Sequence, residues 1–133
     1  MTQISNLPAH KARNLIGQKK ISSTELVKSC IEQYEKHNPN INAIVAIDQK
    51  DVLEQAKKCD EKVSKGETLG LLHGLPVGIK DLQMVKNLRS TYGSLLFKNY
   101  IPKYDDNIVK NIREEGGIVF CKTNTPEFGA GAN

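Results

Sequence analysis

Three short stretches hold the residues whose types and spacing could do chemistry. They are HGLPVGIKDLQ from His73 to Gln83, STYGS from Ser90 to Ser94, and KTNTPEF from Lys122 to Phe128. In the first, Lys80 closes the apolar run Pro76-Val77-Gly78-Ile79, where burial penalises a charge. Two readings of such a lysine are open. Its aliphatic stem can carry the ammonium back to water or to a nearby carboxylate, the ordinary fate of a strand-end lysine. Alternatively the site desolvates the amine so that it accepts a proton, which near neutral pH requires a pKa pulled well below the reference of about 10.4.

The neighbours read more plainly. Asp81 points to the face opposite Lys80 if the strand continues, because side chains alternate, and is therefore structural. His73, set before a glycine turn, suits packing or capping better than acid-base work. Ser90 and Ser94 lie in a polar turn without the glycine setting that exposes a nucleophile. Thr123, Asn124 and Thr125 can satisfy backbone groups in a tight turn before Pro126, with Phe128 expected to anchor that turn in the core.

The elements that must position these residues follow from periodicity. In SSTELVKSCIEQYEKHNP, Ser22 and Glu25 stand in capping-box spacing, and Leu26, Val27, Cys30, Ile31 and Tyr34 recur at helical intervals. This predicts an amphipathic helix ended by Asn38-Pro39. INAIVAID reads as a short strand, followed by a helix with Val52, Leu53, Ala56 and Val63 on one face that stops near Gly66. Beyond GETLG, glycine and proline become frequent and apolar runs shorten to strand length. Val77 to Leu82 reads as a strand entered through Pro76, with Gly74 and Gly78 allowing close backbone approach. Asp105 or Asp106 can cap a helix carrying Ile108, Val109 and Ile112, closed by Gly116-Gly117, before the strand of Ile118 to Cys121. The expected fold class is α/β: N-terminal helices, then the start of a mixed β-sheet with flanking helices. Residues 1–66 form a mainly helical lead-in and 67–133 the start of the α/β core, within one domain.

Composition narrows the function classes. With 133 residues the chain is too short for two ordinary domains. The net charge of +4 is made of interspersed signs, and the pair Lys19-Lys20 is too short for a basic stripe, so nucleic-acid binding is not indicated. Cys30, Cys59 and Cys121 stand in no disulfide or metal-ligand spacing, so neither a metal nor a cofactor is expected. The absence of a signal-type run or a membrane-length apolar stretch leads to a cytoplasmic expectation.

Taken together, LHGLPVGIKD, the Gly-Ser turn in STYGS and the strand leading into KTNTPEF resemble the amidase signature family, in the family's order and approximate spacing. The resemblance runs through most of the chain. It implies hydrolysis of amide carbon–nitrogen bonds by two serines and a lysine. One serine attacks the carbonyl, the second, on a cis peptide bond, relays a proton, and the lysine is the ultimate base. The family's lysine falls on GIKD, which assigns that role to Lys80. Both serines lie on a glycine- and serine-rich segment that in full-length relatives comes beyond Asn133. The implied protein is therefore an N-terminal portion, inactive alone, that takes a small-molecule amide only when completed by the C-terminal part. A complementary fragment or a second copy is the expected partner, favoured by exposed strand edges. The family usually has glycine and proline where this chain has Asn87 and Arg89. The ending KTNTPEFGAGAN resembles general amidases more than the A-subunits of glutamyl-tRNA(Gln) amidotransferase, which tend to carry Met-Asp at Thr125-Pro126. The A-subunit reading and a non-catalytic interaction protein remain the alternatives.

Overall fold

A computed structural model describes residues 3–131. Four helices, α1 (Ala9–Gly17), α2 (Ser23–Ile41), α3 (Gln49–Lys65) and α4 (Asn107–Glu114), surround three strands, β1 (Ile44–Ala46), β2 (Pro76–Lys80) and β3 (Ile118–Thr123). The strand order is β1-β3-β2, with β1 antiparallel and β2 parallel to the central β3. The mixed sheet and its flanking helices are those expected. The parallel pair needs a crossover, and α4 provides it.

Local signals explain most boundaries. The capping box at α2 is formed, with the Glu25 amide donating to Ser22 Oγ at 3.0 Å and the Ser22 amide to Glu25 Oε2 at 2.8 Å. Asp48 caps α3, and Gly66 ends it in the left-handed conformation, φ 70°. Helix α2, however, runs past Asn38-Pro39 to Ile41, with Pro39 inside its last turn. The Asn38 side chain holds both the amide and the carbonyl of Ile44, at 2.8 and 2.9 Å, so the turn out of the helix falls at Asn42. Helix α1, which periodicity does not single out, starts after Pro8 and buries Ala12 and Ile16.

The core has three parts. Val27, Ile31, Val52, Ala56, Ile118 and Phe120 pack α2 and α3 onto the sheet. Ile79, Val85, Val109 and Val119 pack α4 and the loop after β2 onto the sheet. Ala12, Ile16, Leu26, Val63 and Leu75 close the end near α1. Each fully buried aliphatic side chain contributes about 1.5–3 kcal/mol by leaving water, so the sheet is fixed chiefly through β3.

The HGLP stretch is a staple that aims β2. The Leu72 amide donates to Glu115 O at 3.1 Å and the Gly74 amide to Gly116 O at 2.9 Å, tying the entry of β2 to the end of α4. His73 is buried, and its Nε2 lies 3.0 Å from the Cys59 carbonyl, to which it donates as the Nε2–H tautomer. Gly74 has φ +76°, and a Cβ there would lie 2.3 Å from Ser23 Oγ, so both backbone and space require glycine.

Candidate active site at the carboxyl end of the parallel strands

Ligands of open α/β sheets gather beyond the carboxyl ends of parallel strands, and both strand-end lysines stand there. In the β2–β3 register Ile79 pairs with Lys122, and Lys80 pairs with Thr123. Paired residues share a face, so the two lysines emerge on opposite sides of the sheet.

Lys122 points inward and is completely buried. Its Nζ lies 3.0 Å from Asp81 Oδ1, donates to Ser90 Oγ at 2.7 Å, and donates to the Gln83 carbonyl. Asp81, 1% exposed, in turn accepts from the Thr91 amide at 3.0 Å and from the Thr91 hydroxyl. Burial pushes the Lys122 ammonium below its ordinary pKa, and the Asp81 carboxylate pulls it back upward. The structural role expected of Asp81 thus acquires a partner that the sequence did not single out. The signal was present, because Lys122 ends the apolar run Ile118-Val119-Phe120-Cys121 just as Lys80 ends its own.

Lys80 has the opposite environment. Its side chain is exposed, on the face of Gly78, and its ammonium makes no hydrogen bond or ion pair among the described residues. The described residues therefore do not supply the cover expected over a strand-end proton acceptor. Strand β2 stops at Lys80, two residues before the expected end, because the Gln83 amide returns to the Lys80 carbonyl at 3.0 Å.

The two serines of STYGS are committed elsewhere. Ser90 is fully buried, accepting from Lys122 and donating to the Leu88 carbonyl at 3.2 Å. Ser94 Oγ donates to Glu127 Oε1 at 2.7 Å, joining the loop after β2 to the loop after β3. The Phe128 amide strengthens that join by donating to Tyr92 O at 2.7 Å. Phe128 itself does not anchor the turn in the core. It sits at φ +51° and is 53% exposed, because the turn directs its ring outward against Phe97, centroids 6.2 Å apart. Beside it Leu95 and Leu96 are 85% and 82% exposed, leaving an apolar surface at the same end of the sheet. Among the described residues no group of three or more His, Cys, Asp or Glu is placed to hold a metal ion, and no helix is long and apolar enough to cross a membrane.

A mixed sheet with helices on both faces, a parallel β2–α4–β3 unit and an exposed lysine at its carboxyl end define an α/β scaffold. Residues 25–133 match the family model described as Amidase, and the chain belongs to that family. Curated relatives include the A-subunit of glutamyl-tRNA(Gln) amidotransferase from Clostridium botulinum (strain Eklund 17B / Type B), 38% identical over 97% of this chain and 27% of the relative. The protein of the same name from Heliobacterium modesticaldum is 35% identical over 94% of this chain and 26% of its own length. Among solved structures, a bacterial aryl acylamidase of the amidase signature family aligns with TM-score 0.85 at 26% identity, covering 92% of this chain and 26% of that one. An amidase family protein from Bacillus anthracis str. Ames aligns with TM-score 0.84 at 27% identity, covering 93% and 25%. The chain thus spans about a quarter of the length of the curated relatives it matches. These relatives support the A-subunit reading as much as the general-amidase reading taken from KTNTPEF.

Proposed function

We propose that this chain is the N-terminal portion of an amidase-type hydrolase, inactive alone, that supplies Lys80 as the proton acceptor of a serine-serine-lysine site. The observation that carries this reading is the contrast between the two strand-end lysines. Lys122 is spent on Asp81, Ser90 and Gln83, whereas Lys80 stands exposed and unpaired among the described residues at the carboxyl end of β2.

In the proposed reaction a serine hydroxyl from the C-terminal part adds to the amide carbonyl. Its proton passes through a second serine to the Lys80 amine and then returns to the leaving nitrogen. Water completes the cycle by hydrolysing the acyl-enzyme. The nucleophile and its oxyanion donors each contribute several kcal/mol of barrier lowering in serine hydrolases, and Lys80 has no means of replacing them. The C-terminal part also provides the cover that Lys80 lacks, docking over Leu95, Leu96 and Phe128.

The purified chain is expected to leave simple primary amides intact. Co-expression with the C-terminal part of the Clostridium botulinum relative is expected to restore hydrolysis. Turnover by the chain alone, abolished by Lys80→Ala, would overturn the proposal. A second reading, the A-subunit of an amidotransferase, is favoured by relatives of that name at 30–38% identity. It predicts a tightly bound partner protein recovered in a pull-down.

A further inference from the structure

We propose that Lys122 is a positioning residue, whose buried ammonium pins both ends of the loop following Lys80 to the end of β3. The proposal rests on the proposed function for its catalytic consequence, but its structural basis is independent. One nitrogen gathers Asp81, Gln83 and Ser90, which lie one, three and ten residues beyond Lys80 in the chain. Asp81 then closes the loop by accepting from the Thr91 amide, at 3.0 Å to Oδ1 and 3.1 Å to Oδ2. The 81–91 segment is thereby a ring tied at one point, adjacent in the chain to the lysine it must hold.

A charge pair is a poor choice if stability alone were wanted. Methionine or leucine would fill the Lys122 volume without desolvating two ions, and such replacements are commonly neutral or stabilising when both partners change. What an apolar side chain lacks is the ability to bond three groups at fixed directions. The pair therefore serves geometry, holding the backbone that leaves β2 in one arrangement, with Lys80 directed to the exposed face. Lys122 emerges on the sheet face opposite Lys80, and it acts through Asp81 and the loop.

The test separates positioning from stability. Lys122→Met leaves the Asp81 carboxylate buried and unpaired, and the pair of substitutions Asp81→Asn with Lys122→Met removes both charges. We expect the double variant to recover a Tm within about 2 °C of the unmodified chain. Amide exchange over 82–94 is expected to remain at least about tenfold faster, while β2, β3 and α4 keep their protection. Recovery of both Tm and loop protection would overturn the proposal, because the pair would then be replaceable filling. Uniform loss of protection across the fold would also overturn it, because the pair would then be a general stabiliser.

In the complex assembled with the C-terminal part, the same double variant is expected to lower kcat with KM unchanged. Unaltered kcat and KM would count against positioning. If the unmodified complex is itself inactive, the proposed function fails, and the exchange experiment still decides the role of Lys122.

Discussion

Exchanging the two strand-end lysines one at a time gives opposite outcomes. Lys80→Ala removes an exposed side chain with no partner among the described residues, so its effect on unfolding free energy stays within about 0.5 kcal/mol. Lys122→Met removes the counter-ion of Asp81, which is 1% exposed and retains only its bonds from Thr91. Breaking one side of a buried pair costs about 3–5 kcal/mol, mostly the penalty of an uncompensated buried carboxylate. A native domain holds only about 5–15 kcal/mol in total, so this loss is a large fraction of it. Urea titration followed by circular dichroism measures both variants, with the shift read in the midpoint at constant slope. A cost above about 1.5 kcal/mol for Lys80→Ala, or below about 1 kcal/mol for Lys122→Met, would refute the assignment of their environments.

Three further outcomes follow from the geometry. Burial holds the His73 imidazole below its ordinary pKa. The unfolded chain therefore takes up a proton through about pH 6.5 that the folded chain refuses, and stability falls as pH drops through that value by up to about 1.4 kcal/mol per unit; stability curves at pH 7.5 and 5.5 should show this, and His73→Gln should flatten it. Gly74→Ala sets a Cβ 2.3 Å from Ser23 Oγ at φ +76°, costing at least about 2 kcal/mol in a thermal melt; a change under 0.5 kcal/mol would contradict the staple. Leu95→Ser combined with Leu96→Ser should leave the chain's own stability within about 0.5 kcal/mol while reducing recovery of the C-terminal part in a pull-down.

Much of the scaffold is legible in the sequence because it is locally encoded. The Ser22/Glu25 capping box, the stop at Gly66 and the strand-helix-strand run ending in Ile118-Val119-Phe120 each state their structure within a few residues. Helix α2 outlasts Pro39 because a tertiary clamp, Asn38 on Ile44, sets where the chain turns. The turn before Phe128 is legible, but not the outward aim of its ring, which follows from a positive φ at a non-glycine residue. The site is the instructive case. Two lysines follow two apolar runs, and nothing local distinguishes them; the β2–β3 register and the inward Asp81 decide which is buried. The resemblance in GIKD points to Lys80, whereas the fold alone draws attention to Lys122.

Whether Lys80 is the proton acceptor is decided by amide hydrolysis in the co-expressed complex of this chain and the C-terminal part, comparing Lys80→Ala with the unmodified chain at matched complex yield. The unmodified complex is expected to hydrolyse the amide, and the substitution to lower kcat by at least about a hundredfold, as for removal of a general base. Full activity in the Lys80→Ala complex would contradict that role.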